Sequence, residues 1–170
     1  QCGVPTGQPK FPLLTYQELP DPATPSDKEW AAVTTTQVSW GTTDVRYAKH
    51  GLPRLKNQQT IALKGWRGER VNAQAVVWTG VELKDLNFSF GDFKDKKGNV
   101  LPQDAFTGGF VRYVMTDELN KDGRGACGHR KAVDYDSLLV ADPIDTSLKA
   151  MALPARTVQP VWVQCWIPQS

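Results

Sequence analysis

The stretch WRGERVNAQAVVWT, residues 66–79, decides the fold because its side chains alternate in character along an extended run. In a β-strand successive side chains point to opposite faces, so a period of two predicts a strand with two different faces. One predicted face carries Val71, Ala73, Ala75 and Val77, and the other carries Asn72, Gln74, Val76 and Trp78. The charged residues at its start predict surface ion pairs beside the strand.

The final stretch QPVWVQCWIP, residues 159–168, repeats this alternation. Its apolar face consists of Val161, Val163, Cys165 and Ile167, and its other face consists of Trp162, Gln164 and Trp166. Two tryptophans at positions i and i+4 of a strand lie about 13 Å apart, a spacing that could suit separated sugar rings. The stretch therefore predicts a second two-faced strand.

Further short runs also alternate and are separated by turn residues. They are TQVSWG (36–41), DVRYAKH (44–50), TIALKGW (60–66), LNFSFGDF (86–93) and GFVRYVMTD (109–117). Short strands with almost no helix predict an all-β fold, an antiparallel β-sandwich of about 7–9 strands. The polar, glycine-rich residues near 117–135 predict one long loop.

The N-terminal part, residues 1–35, is predicted to be an extended lead-in, because six of its first 25 residues are prolines. One short helix is expected near residues 27–32. Ser26 and Glu29 have capping-box spacing, and Trp30 and Val33 are placed to face inward. Residues 36–170 are then expected to form one sandwich domain.

Composition excludes several classes of function. The net charge is +2 with both signs interspersed, so no nucleic-acid partner is expected. No apolar run approaches the roughly 20 residues of a membrane helix. Cys2, Cys127 and Cys165 allow one disulfide whose pairing stays open, and their spacing matches no metal site. No metal or other cofactor is expected.

Candidates for chemistry are few. The histidines His50 and His129 lie in no nucleophile motif, and the adjacent acids Asp117 and Glu118 are better explained as part of a solvated turn. The tryptophans are the stronger candidates, because aromatic side chains can contact either a sugar or a neighbouring domain. The predicted contact residues are Trp66, Trp78, Trp162 and Trp166.

Several stretches occur in the order that is typical of one bacterial domain. They are GTTDVRYAKHGLP, WRGERVNAQAVVWT, YVMTDELNKDGRGACGHR, DSLLVADPID and QPVWVQCWIPQS. Across residues 36–170 the chain thereby resembles the amino-terminal β-sandwich domain of glycoside hydrolase family 123, which is β-N-acetylgalactosaminidase-like, and related proteins.

The resemblance implies a non-catalytic accessory domain. In the family a (β/α)8 barrel follows the sandwich and holds the catalytic Asp-Glu pair, so a following catalytic domain is the expected partner and the chain is expected to stop short of it. A secreted or periplasmic location is implied, with attachment to the cell surface left open. An isolated sandwich would be prone to self-association.

Two alternatives remain at this stage. The first is a carbohydrate-binding module that uses the tryptophans as a stacking platform. The second, less favoured, is an autonomous glycosidase that uses Asp117, Glu118, Asp134 or Asp136.

Overall fold

A computed structural model describes residues 17–94, 97–116 and 138–169. Its elements are one helix, seven strands and one 3₁₀ turn. They are α1 (Asp27–Trp30), β1 (Thr36–Gly41), β2 (Arg70–Thr79), β3 (Leu83–Asn87), the 3₁₀ turn (Gln103–Ala105), β4 (Phe106–Thr116), β5 (Leu138–Asp145), β6 (Ala150–Leu153) and β7 (Thr157–Trp166). The all-β prediction is confirmed.

The central sheet has the order β1-β2-β7-β4-β5, with every neighbouring pair antiparallel. Its longest unbroken register joins β2 to β7, from the Arg70–Trp166 pair to the Thr79–Thr157 pair. Paired residues share a face, so the small apolar residues of β2 lie beside the apolar residues of β7. The two alternating stretches therefore form neighbouring central strands.

The second layer of the sandwich is smaller, a two-stranded sheet of β3 and β6. It is extended by residues 88–93, whose Phe88 ring meets the Phe110 ring of β4 edge-to-face with centroids 5.3 Å apart. A Cβ placed on Gly108 would lie 2.7 Å from the Phe88 ring, so a glycine is needed there. This layer covers β4 more fully than it covers β1 and β2, and it leaves the groove described below.

The opposite face of the central sheet is covered at one end by α1 and by residues 42–58. There Val76, Trp78 and Val158 pack against Trp30, Val33 and Tyr47. Trp30 and Val33 face inward as predicted, and the side chain of Ser26 accepts a hydrogen bond from the backbone N–H of Glu29 at 3.4 Å. The predicted helix cap is therefore confirmed.

Tyr113 joins this cover to the sheet. Its buried hydroxyl donates toward the carbonyl oxygens of Tyr47, at 3.1 Å, and of Val158, at 2.9 Å. Burial raises the pKa of Tyr113 well above its ordinary value, so the hydroxyl stays protonated and remains a donor.

The lead-in is anchored by one carboxylate. Glu18 accepts hydrogen bonds from Lys49, at 2.7 Å, and from Arg112, at 2.8 Å. Burial alone would raise the pKa of Glu18, but these two partners outweigh it and hold the pKa below the usual value. The anchor therefore stabilises the fold at neutral pH and is lost as the pH falls through the folded-state pKa.

Two strand predictions were wrong, for residues 44–50 and 60–66, since neither run pairs in a ladder as a strand. The predicted strand 86–93 is confirmed only at residues 86–87, which end β3, and residues 88–93 are not in a strand. The side-chain amide of Gln74 donates to the carbonyl oxygens of Val45, in the first run, and of Thr42, just before it, which gives this backbone a partner outside any sheet. The alternating pattern of residues 44–50 therefore does not mark a strand. It arises because this loop buries one aromatic side chain, that of Tyr47.

The predicted long loop near residues 117–135 lies outside the described residues. So do Cys2, Cys127, His129 and the acids at 117, 118, 134 and 136. No helix in the described ranges has the length and apolar character needed to cross a membrane.

Gly80, directly after β2, provides a test of the packing. A Cβ at this position would overlap the backbone carbonyl of Val33, whereas a Cβ on Gly91 would have no neighbour within 4 Å. We expect Gly80→Ala to lower the free energy of unfolding by about 3 kcal/mol. Gly91→Ala should change it by less than about 1 kcal/mol. Urea unfolding of both variants measures this, and equal effects would contradict the described packing.

Candidate functional site

The two faces of β2 and β7 differ chemically, and each presents one candidate surface. The first is an apolar groove between the central sheet and the second layer, with a volume of about 580 Å³. Its walls on the central sheet come from β1, β2, β4 and β7. They are Val38, Trp40, Val71, Ala73, Ala75, Val77, Phe106, Val161, Val163 and Cys165.

The outer wall of the groove is built from the end of β3 and from extended chain that is not in a sheet ladder. Ile61 and Leu63 line it at one side, and residues 86–91 with Phe93 line it at the other. Val38, Leu63 and Phe93 remain 45%, 46% and 42% exposed. A groove lined by large apolar side chains that stay accessible is typical of an interaction surface.

Cys165 is the one cysteine in the described part of the chain, and its thiol is free. It lines the apolar groove, and this burial raises its pKa. Because the thiolate is the nucleophilic form, a raised pKa makes this thiol a poor nucleophile near neutral pH. Cys165 is therefore a packing residue and a reporter of groove access.

The four predicted tryptophans lie in different environments. Trp78 is 4% exposed within the core, so its ring cannot reach a sugar or another domain without opening that core. Trp162 is half-buried against Val111 and Tyr113. Trp166 is 40% exposed and Trp66 is 83% exposed. The structure thus leaves Trp66 and Trp166 as the most accessible rings of the set.

The second surface lies on the face opposite the groove, where Arg70 and Trp166 are directly paired across β2 and β7. The Arg70 guanidinium lies 5.7 Å from the centroid of the Trp166 ring. Arg70 also donates to Gln164 at 2.9 Å, and Gln164 donates to Asn72 at 3.0 Å. These contacts hold an ordered row of polar side chains beside an accessible indole.

A second cleft, of about 690 Å³, lies between α1, residues 44–51 and β5. Two side chains of its lining have acidic partners: Arg46 lies 3.2 Å from Asp142, and His50 lies 3.7 Å from Asp21. The His50 ring also bonds through Nδ1 to the carbonyl oxygen of Arg156 at 3.0 Å. The contacts of His50 join Asp21 of the lead-in to Arg156, directly before β7, and give this side chain a structural role.

Within residues 17–94, 97–116 and 138–169, no group of three or more His, Cys, Asp or Glu side chains could hold a metal ion. None of the four tryptophans predicted as contact residues lines the apolar groove. The alternation of β2 and β7 predicted an apolar face, but it carried no information on how little of that face the second layer would cover.

The chain is similar in sequence to one protein family and in fold to a solved structure. The family model for the glycoside hydrolase 123 N-terminal domain matches residues 40–170. The chain is also similar in fold to a solved family 123 glycoside hydrolase from Clostridium perfringens, reported in a study of glycolipid glycan hydrolysis, with a TM-score of 0.67 and 19% identity. The match covers 81% of this chain and 22% of that one. No curated protein matches the chain significantly.

The raised pKa of Cys165 predicts slow alkylation. At pH 7.5 we expect Cys165 to react with iodoacetamide more slowly than a cysteine in an unstructured peptide, because less of it is thiolate. The rate should keep rising above the pH at which the peptide rate levels off. Peptide-resolved mass spectrometry separates Cys165 from the other two cysteines, and a rate equal to that of the peptide at every pH would contradict burial of the thiol.

Proposed function

From the premise that this chain belongs to the glycoside hydrolase 123 N-terminal domain family, we propose that it is a non-catalytic accessory domain. Its work is to pack against a catalytic domain of the same polypeptide and to position it. The observation that carries this proposal is the apolar groove, whose lining is almost entirely hydrophobic and whose rim is accessible.

The energetics favour covering the groove. Fully burying an apolar side chain of this size contributes about 1.5–3 kcal/mol. Val38 and Leu63 are nearly half exposed, so each would contribute about 1 kcal/mol more if a neighbouring domain covered it. Several such residues on one groove are enough to fix the relative position of two domains.

The position of the groove fits a partner in the same polypeptide. Ile167 follows β7 and lines the groove, so a polypeptide that continues from β7 would leave the sheet beside it. The similar solved hydrolase extends well beyond its matched part, since that part is 22% of its chain. A following catalytic domain is therefore the occupant that we propose for the groove.

The resemblance to the family supports assigning catalysis to the partner, because the family's catalytic Asp-Glu pair lies in the barrel. We also propose a secreted or periplasmic protein, in keeping with enzymes that act on glycans outside the cytoplasm. In the isolated chain the uncovered groove would favour self-association.

Lysine substitutions on the rim test the docking. In the natural polypeptide that contains the catalytic domain, we expect Val38→Lys with Leu63→Lys to weaken the domain contact by about 2 kcal/mol. Alkylation of Cys165, protected in the parent protein by the docked domain, should then return to its rate in the isolated chain. Val45→Lys with Val81→Lys is the matched control, because both residues are similarly exposed and neither lines the groove.

Two measurements distinguish loss of docking from loss of folding. Unfolding of the isolated chain should change by less than about 1 kcal/mol in either double variant, since all four side chains are partly exposed. If Cys165 reacts equally fast in the isolated chain and in the natural polypeptide, the groove is not the docking surface.

Activity assays test the assignment of catalysis. We expect the 170-residue chain to show no turnover of an aryl β-N-acetylgalactosaminide above the buffer rate. Glu118→Gln should leave that result unchanged. Turnover that Glu118→Gln abolishes would establish the autonomous glycosidase instead.

A further inference from the structure

One end of the central sheet concentrates aromatic and basic side chains. We call it the basic–aromatic end and define it by Lys64, Trp66, Arg67, Arg70 and Trp166. Trp66 is 83% exposed, more than any other large hydrophobic side chain in the described residues. An indole this exposed contributes little to the packing of the fold and is accessible to a ligand.

The turn that carries Trp66 is well fixed. Gly68 has a φ of 79° and donates to the carbonyl oxygen of Ile167 at 2.8 Å, and Ile167 donates back to Glu69 at 2.8 Å. The Glu69 carboxylate accepts a hydrogen bond from the backbone N–H of Trp66 at 2.7 Å. The indole is therefore presented by a braced turn that is tied to the end of β7.

The charge of this end is one-sided. Residues 64–70 contain three basic side chains and one acid, a local excess as large as the net charge of +2 of the whole chain. The acid, Glu69, is engaged by the backbone of its own turn. Among the described residues no carboxylate pairs with Lys64, Arg67 or Arg70. The end is thus complementary to an anion.

Arg70 is already oriented to bind an anion. It lies over the Trp166 ring and uses one guanidinium nitrogen to reach Gln164, which leaves its other N–H donors without a partner in the described part of the chain. A guanidinium binds a carboxylate through two parallel hydrogen bonds, and its orientation by Gln164 reduces the entropy lost on binding.

We propose that the basic–aromatic end binds an acidic glycan, a pyranose chain that carries carboxylates. Trp66 supplies a flat apolar surface for the C–H face of a sugar ring, and Arg70 binds the carboxylate of that ring or its neighbour. Arg70 and Trp166 alternate with the groove residues Val71 and Cys165, so they project from the opposite face. None of the five residues that define the basic–aromatic end lines the docking groove.

The composition of the end favours a glycan over a single-stranded nucleic acid. Nucleic-acid platforms combine stacked aromatics with a basic groove that follows the phosphate backbone over several nucleotides. Here the basic side chains are confined to one turn and one strand end. Elsewhere in the sequence basic and acidic residues are interspersed, so no basic stretch continues from this end. A short anionic ligand with one stacking contact matches this layout.

The test is a titration of the full chain with tetragalacturonate, followed by tryptophan fluorescence and calorimetry. We expect saturable binding with a Kd of roughly 0.1–1 mM that weakens as salt is raised. The fully methyl-esterified tetrasaccharide has the same rings without the charges, and it should bind about tenfold more weakly. Trp66→Ala and Arg70→Gln should each weaken binding of the acid about tenfold.

Control variants separate this site from general charge effects. Arg54→Gln removes an exposed arginine elsewhere and should leave the Kd unchanged, and Trp66→Phe should retain most of the affinity because it keeps an aromatic face. A flat titration, equal binding of the ester, or an equal effect of Arg54→Gln would overturn the proposal. Tighter binding of a single-stranded oligothymidylate than of tetragalacturonate would overturn it in favour of a nucleic-acid site. Val38→Lys, which lies on the groove at the other end of β2 from Arg70, should leave glycan binding intact, so failure of docking and failure of this site are distinguishable.

Discussion

The uninterrupted pairing of β2 with β7 is the constraint on which the rest of the structure depends. Across this ladder Ala75 lies beside Val161, and Arg70 lies beside Trp166. Because a shift of one residue would move every side chain to the other face, the register fixes both surfaces at once. A slipped register would place Cys165 on the polar face and Trp166 in the apolar groove, so neither surface could exist without this pairing.

The two ends of the non-groove face differ because only one of them is covered. Trp78 and Trp166 project from the same face, but Trp78 lies beneath α1 and Tyr47, whereas Trp166 lies beyond their reach. The covering segment is tied down by the Tyr113 hydroxyl and, through the lead-in, by Glu18. The strand pattern is the same for both tryptophans. Whether each is buried or accessible therefore depends on how far the covering segment extends along the sheet.

The sequence predicted the central strands, the helix cap and the division of faces, because period-two alternation and capping are local properties. It misassigned residues 44–50 and 60–66, because a strand also requires a partner with free backbone groups. Gln74, buried in β2, donates to the carbonyl oxygen of Val45 in the first segment and to that of Thr42 just before it, and no local pattern signals such a long-range contact. The sequence identified the candidate tryptophans but could not rank them by exposure, because their exposure depends on which segments lie above the sheet.

The groove and the Arg70–Trp166 pair lie on opposite faces of the same two strands. A domain that docks on Val71 and Cys165 does not cover Arg70 and Trp166, which alternate with them, so the two surfaces do not compete for area. They share the same backbone, however, and the turn carrying Trp66 is held by Ile167, which also lines the groove. The same pair of backbone hydrogen bonds therefore fixes both the groove wall at Ile167 and the turn that presents Trp66.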